Sequence, residues 1–110
     1  MRQLATVAAA LLIHACAFVP QVNHRLEDVK RTHAQALGEG QVAVLAPAEW
    51  FRASEAVDTA ILAHGTLQDP AIVDHLAYVA KQRIEIARET ARRVAAEAAV
   101  ATARKVSLQR

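Results

Sequence analysis

The chain has 110 residues with a formal net charge of +2, and 54% of its side chains are hydrophobic although only 4% are aromatic. This length allows one domain, and the scarcity of aromatic side chains argues against a wide core around a deep ligand pocket. The single cysteine excludes an internal disulfide bond, and the small positive charge does not by itself predict a nucleic-acid partner.

The first fifteen residues have the pattern of a secretory leader. Arg2 supplies one positive charge, and an almost wholly apolar run follows it at residues 4–13. About ten residues is the length of a signal-peptide core, whereas a helix that spans a bilayer needs about twenty. The sequence therefore predicts that residues 1–15 are removed.

The leader ends in the segment Ile13-His14-Ala15-Cys16, which resembles a bacterial lipobox. Ile13 and Ala15 match the aliphatic and small residues of that motif, while His14 departs from it. The resemblance implies a lipoprotein signal peptide, with Cys16 as the lipid-modified first residue of the mature protein and residues 16–20 as a lipidated linker.

No aspartate follows Cys16 to retain the protein in the inner membrane, because the next residue is Ala17. By analogy, the lipobox resemblance implies the periplasmic face of the outer membrane. Two alternatives stay open: Cys16 is a small apolar residue of an ordinary N-terminal helix, or the apolar run is a short uncleaved anchor.

Residues 21–110 are expected to form one all-α domain, a three-helix antiparallel bundle or hairpin with a long alanine-rich C-terminal helix. The first helix is predicted over about 21–37, with Gly38 as its stop. Its apolar positions are Val22, Leu26, Val29, Ala36 and Leu37. Residues 42–45 could be extended, but they have no partner strand and are predicted to be loop.

The second helix is predicted over about 47–64. Pro47 suits its first turn, where the missing N–H costs nothing, and Gly65 suits its end. One face of this helix is expected to carry Trp50, Ala53, Ser54, Val57, Ala60, Ile61 and His64.

The third helix is predicted over about 70–107, with Asp69 as its N-cap and Pro70 in its first turn. No glycine or proline interrupts the chain after Pro70, so the helix would be about 57 Å long. Small and apolar residues recur along it in steps of three and four, a helix-packing seam. The seam consists of Val73, Ala77, Ala80, Ile84, Ala87 and Ala91, with a distal part at Val94, Ala98 and Ala101.

Two stretches resemble a bacterial envelope domain of unknown function that often precedes an OmpA-like peptidoglycan-binding domain. They are "LAPAEWFRASEAVDTA", residues 45–60, and "VDHLAYVAKQRIEIARETARRVAAEAAV", residues 73–100. The resemblance implies an extracytoplasmic helical domain without a known enzymatic activity. No OmpA-like domain is expected within this chain, so peptidoglycan binding is not carried over to it.

The residues that could perform chemistry do not form a recognisable active site. His24, His33, His64 and His75 form no i, i+4 pair, and His75 is expected to pack beside Tyr78 or a neighbouring helix. Glu85 and Glu89 share a helix face with several arginines, which favours solvated ion pairs, Glu89 with Arg93 among them, over an acid–base pair. Ser54 and Ser107 have no evident histidine or aspartate beside them.

The sequence therefore predicts a non-enzymatic envelope lipoprotein that acts as a structural or adaptor module. We expect the membrane as a partner through the lipid anchor, with a second copy or an envelope protein on the seam. No metal, cofactor, small-molecule substrate or nucleic acid is expected. The alternative is a small cytoplasmic helical protein that binds nucleic acid or an anionic surface through its Arg-rich C-terminal helix.

Overall fold

The computed structural model describes residues 21–110, which form four helices and no strand. The helices are α1 (His24–Gly38), α2 (Val42–Leu45), α3 (Pro47–Gly65) and α4 (Pro70–Leu108). The prediction of an all-α fold with a long C-terminal helix is confirmed, and the three long helices begin and end within three residues of their predicted bounds.

The start of α1 is set by a side chain that caps the helix and also joins it to α4. The Oδ1 atom of Asn23 accepts a hydrogen bond from the backbone N–H of Leu26 at 2.9 Å. The Nδ2 atom of the same residue donates to Oδ1 of Asp74 on α4 at 3.0 Å. Because the cap satisfies a backbone donor that the helix itself cannot, α1 begins at His24 rather than at Gln21.

The prediction of a loop over residues 42–45 is wrong, because these residues form the single turn of α2. A four-residue helix cannot offset the cost of its own nucleation. Val42 is buried against Ala87 and Ala91 of α4, together with Ala46, and this contact stabilises the turn. The sequence carries no local signal for such a helix because its stability comes from α4.

The hairpin of α3 and α4 is closed by residues 66–69, and a side-chain cap and a proline set the start of α4. The Oδ1 atom of Asp69 accepts from the N–H of Ala71 at 2.8 Å, and Pro70 opens α4, as the sequence predicts. At the other end Gly65 is the last residue of α3, and the left-handed conformation falls on Leu67, with φ of 58°. The left-handed conformation costs a residue with a Cβ about 1–2 kcal/mol relative to the right-handed one.

The helices run up, down and up around one core. The N-cap Asn23, Asp28 within α1 and the C-cap Glu39 contact, in that order, Asp74, Lys81 and Arg88 of α4, so α1 and α4 are parallel. The short connector makes α3 antiparallel to α4. The start of α1 therefore lies at the same end of the bundle as the start of α4, and the C-terminal part of α4 points away from the opposite end.

The core consists of small and branched apolar side chains, and no polar or charged side chain of residues 21–110 is buried. Its main cluster comprises Leu26, Val29, Ala36, Ala53, Val57, Ala60, Val73, Ala77, Ala80 and Ile84. Alanine at so many contact positions lets the helix axes approach closely. Some predicted apolar positions face solvent instead, namely Val22 and Leu37 on the α1 side and Ile61 on α3.

Candidate interaction surfaces

The proximal part of the predicted seam is buried in the bundle. Val73, Ala77, Ala80 and Ile84 lie in the main cluster with residues of α1 and α3, while Ala87 and Ala91 lie under α2. Each of these six side chains is at most 4% exposed. This part of the seam holds the bundle together and is not available to another protein.

The distal part of the seam has no covering element among the described residues. Val94 is half-buried, and Ala98 and Ala101 are exposed, like every other residue from Ala95 to the C-terminus. We call residues 92–108 the distal segment of α4. It continues the same helix and the same seam past the point where α2 ends the bundle, so within residues 21–110 this part of the seam is open to a partner.

The predicted lipidation site, Cys16, lies outside the described residues, as do the leader and the linker up to residue 20. None of the described helices contains a stretch long and apolar enough to cross a bilayer.

An ion-pair cluster joins the connector after α1 to α4. The guanidinium of Arg88, whose side chain is only 15% exposed, donates to both carboxylate oxygens of Glu39, at 2.8 and 3.3 Å. It also donates to Oε1 of Glu85 at 2.8 Å. Burial disfavours the charged guanidinium, but the hydrogen bonds and the charges of Glu39 and Glu85 outweigh that effect and raise the pKa of Arg88. The cluster fixes the connector and, with it, the position of α2.

The structure brings one serine and one histidine together, and no motif in the sequence indicates this contact. Nε2 of His33 on α1 lies 2.9 Å from Oγ of Ser54 on α3. The imidazole is also stacked on the indole of Trp50, with ring centroids 4.5 Å apart and planes 8° from parallel. The two residues are 21 positions apart on different helices, and no local pattern in the sequence could have revealed their contact.

This pair is better suited to packing than to nucleophilic catalysis. A catalytic serine needs a base oriented by a third group and a site for the reacting carbonyl. Among the described residues no acid bonds to the ring of His33, and none of the main surface grooves is lined by either His33 or Ser54. The hydrogen bond and the stacked indole together hold α1 against α3.

The other histidines do not converge. His24 and His75 are exposed and do not belong to the core, and the contact of His75 with Tyr78 or a neighbouring helix stays a prediction. Within residues 21–110 no three histidine, cysteine or acidic side chains lie close enough to hold a metal ion.

The two candidate carboxylates of α4 take part in separate ion pairs. Glu85 binds Arg88, and Glu89 binds Arg92 at 2.9 Å. The expected pairing of Glu89 with Arg93 is wrong, because Arg93 binds Glu97 instead. Both neighbours of Arg93 are one turn away on the same helix, and the choice between them depends on rotamers that sequence spacing does not fix.

A groove of about 350 Å³ lies between α1 and α4. Its walls are formed by His24, Arg25, Asp28, Val29, Ala77, Tyr78 and Lys81. The ammonium of Lys81 binds Asp28 across the groove at 3.2 Å, so this cation and anion satisfy each other. The groove is therefore the crossing point of an ion pair that joins α1 to α4.

Charge divides sharply along the chain. Residues 21–91 contain seven lysines and arginines and ten acids, a net formal charge of −3. Residues 92–110 contain five lysines and arginines and a single acid, Glu97, a net formal charge of +4. The near-neutral total charge of the chain hides an acidic bundle that carries a basic helical extension.

Residues 24–103 match the family described as a domain of unknown function, DUF4398. The match spans all four helices up to the middle of the distal segment, and it agrees with the domain of unknown function that the sequence resembles. Comparison with curated proteins and with solved structures gave no match. The chain therefore belongs to the DUF4398 family.

Proposed function

We propose that this protein is a non-enzymatic lipoprotein of the cell envelope that acts as a structural or adaptor module. In this proposal Cys16 carries the lipid anchor at the periplasmic face of the outer membrane. The bundle is the body of the module, and the distal segment of α4 is the surface that meets a partner.

The observation that carries the proposal is the position of the two ends of the module. The start of α1 and the start of α4 lie together, as the contact of Asn23 with Asp74 shows. The distal segment leaves the bundle at the other end, and Leu108 is 34 helical positions after Asp74, a rise of about 51 Å. An anchor before α1 and a partner on the distal segment would therefore act at opposite ends of a rigid body.

The linker supports this arrangement because it is short. Asn23 is seven positions after Cys16, and a fully extended chain of that length spans at most about 25 Å. A lipid on Cys16 would hold the bundle close to the membrane surface. Several acyl chains, at about 0.8 kcal/mol for each buried methylene, make such an anchor durable.

Metabolic labelling with a palmitate analogue in bacterial cells tests the anchor. We expect the wild-type chain to incorporate the label and to fractionate with membranes, and Cys16→Ala to do neither. Ser107→Ala is the matched control. It replaces a hydroxyl by hydrogen, as Cys16→Ala replaces a thiol by hydrogen, but it lies at the far end of α4. Equal labelling of wild type and Cys16→Ala would refute lipidation at this site.

The nature of the envelope partner is open to a genomic check. The family resemblance associates such domains with OmpA-like domains. A neighbouring reading frame that encodes an OmpA-like domain would support a partner of that kind.

A second candidate function follows from the charge of the C-terminal region. A helix with a net charge of +4 over residues 92–110 could bind nucleic acid or another anionic surface in the cytoplasm. This candidate predicts an uncleaved chain whose affinity for DNA falls steeply as salt rises. Cleavage before Cys16 or the absence of a salt-dependent affinity would exclude it.

A further inference from the structure

The outward side of α3 is an unpartnered face with charge opposite to that of the distal segment. Phe51, Glu55, Asp58 and Leu62 follow one another at intervals of four, three and four residues, so they lie on one stripe of the helix. The two apolar side chains at its ends are 63% and 67% exposed. We call these four residues the outer face of α3.

The two carboxylates in the middle of this face are available to a cation. Neither Glu55 nor Asp58 takes part in an ion pair with any residue from 21 to 110. Arg52 and Arg83 line the same groove as Glu55, but both lie beyond ion-pair distance. Every acid of α1, by contrast, has a cationic partner.

The distal segment has the complementary arrangement. Val100 and Leu108 are 51% and 86% exposed, and Arg104 and Lys105 lie between them on the helix. Neither cation pairs with a carboxylate of the described residues. Val100, Arg104 and Leu108 follow one another at intervals of four residues and so lie on one stripe of the helix, with Lys105 beside it. Each surface therefore has apolar ends and a charged centre, and the two charges are opposite. The outer face of α3 is about 17 Å long, and the stripe on the distal segment is about 12 Å long.

The two surfaces cannot meet within one chain. The helix α4 is unbroken from Pro70 to Leu108 and holds the distal segment in line with the bundle axis. Its seam packs against the inward side of α3, while Phe51 and Leu62 face outward. Only a second molecule can bring the segment to the outer face of α3.

We propose that the distal segment of each copy docks on the outer face of α3 of a second copy, so that two chains form a symmetric dimer. When the two α4 helices run antiparallel, each distal segment runs parallel to the partner's α3. Val100, Arg104 and Leu108 of one copy then lie opposite Phe51, Asp58 and Leu62 of the other, in that order. A twofold axis makes every contact occur twice, which doubles the area buried.

In this arrangement the partner of the distal segment is a second copy of the same chain. The inference rests on the proposed function only in that it uses the distal segment as an interaction surface. The net charges favour it over pairing of two distal segments, which would bring two +4 helices together. In the dimer each basic segment lies on an acidic bundle instead.

Charge exchange between the two surfaces tests the dimer. The full chain, purified in a mild detergent, is compared by multi-angle light scattering with Glu55→Lys/Asp58→Lys, with Arg104→Glu/Lys105→Glu and with all four changes combined. We expect the wild type to dimerise at low salt and each double variant alone to lose at least about tenfold in affinity. An equimolar mixture of the two double variants, and the combined variant, should recover the dimer because opposite charges again face each other.

The matched control for Glu55→Lys/Asp58→Lys is Glu27→Lys/Gln35→Lys/Gln82→Lys, which makes the same change in net charge at exposed sites outside both surfaces. It should leave the dimer intact. A monomeric wild type overturns the proposal, and binding of that monomer to phosphatidylglycerol vesicles would then identify an anionic membrane as the docking surface. A dimer that survives both double variants, or a mixture that stays monomeric, also overturns it. Labelling at Cys16 is independent of all these outcomes, so either idea can fail alone.

Discussion

The two parts of α4 have similar residues but different roles. Residues 70–91 and the distal segment share one seam of alanine and branched side chains, and both are helical without interruption. The first part is buried by α1, α2 and α3, whereas the second has no covering element in the described chain. The difference teaches that a helical repeat in sequence specifies a face that can pack, while the length of the neighbouring helices decides how much of it does pack.

The largest effect should come from a cavity in the buried part. Ile84 is 0% exposed, and Ile84→Ala should lower the free energy of unfolding by about 3 kcal/mol through lost burial and an unfilled cavity. Val100→Ala, in the distal segment, should change it by less than about 0.5 kcal/mol. Urea denaturation followed by circular dichroism, in high salt to suppress association, measures both. Equal losses at the two sites would mean that the distal segment is packed in solution.

A change that adds volume should separate the two parts in the same way. Ala80 is fully buried, and Ala80→Leu should cost about 2 kcal/mol or more because the helices must move apart. Ala98→Leu makes the identical change at an exposed position of the same seam and should leave the unfolding midpoint nearly unchanged. If Ala80→Leu is tolerated, the close approach of the helices at this level is wrong.

Ion pairs should show a smaller contrast. Arg88→Met removes the guanidinium that joins Glu39 to α4 but keeps an apolar stem, and we expect a loss of about 1 kcal/mol because both carboxylates are half exposed and can be resolvated. Arg92→Met removes the ion pair with Glu89, whose side chains are 63% and 74% exposed. It should lower the free energy of unfolding by a few tenths of a kcal/mol at most.

The loss of stability caused by Arg88→Met should not depend on pH between mildly acidic and mildly alkaline buffer. The pKa of Arg88 is raised, so its stabilising contribution is complete below the ordinary arginine pKa and is lost only as pH rises above the folded value. A marked change of the Arg88→Met effect between mildly acidic and mildly alkaline buffer would show that the carboxylates, rather than the guanidinium, control the contact.

The smallest effect on global stability should come from a glycine in the distal segment. Ala99→Gly weakens the local helix by about 1 kcal/mol, but in high salt, where association is suppressed, global unfolding should not change because no packed contact within residues 21–110 of one chain depends on this segment. Hydrogen exchange read by mass spectrometry should show faster exchange over residues 95–108 alone. Faster exchange throughout α4 would show that the two parts open as one unit.

The capping, proline and glycine signals in the sequence predicted the long helices well, because single residues determine where these helices begin and end. Asp69 and Pro70 start α4, Pro47 starts α3, and glycines mark the ends of α1 and α3. The same rules failed for α2, whose stability comes from Ala87 and Ala91 about 45 residues away. They failed also for the contact of His33 with Ser54 and Trp50, which joins two helices.

The candidate surfaces divide in the same manner. The seam of α4 was visible as a repeat, but only the fold shows that it is closed as far as Ala91 and open at Ala98 and Ala101. Phe51 and Leu62 lie off the predicted packing face of α3, but only the fold shows that they are exposed together on its outward side.

By itself the amino-acid sequence determined that this protein is helical, where its three long helices begin and end, and which stripe of α4 is able to pack. These properties depend on capping, propensity and periodicity, which act within a few residues of chain. The tertiary structure decided which part of that stripe is used, where the acidic bundle stops and which side chains meet between helices. Those outcomes depend on the relative lengths and directions of separate helices, and no short segment of the chain contains that information.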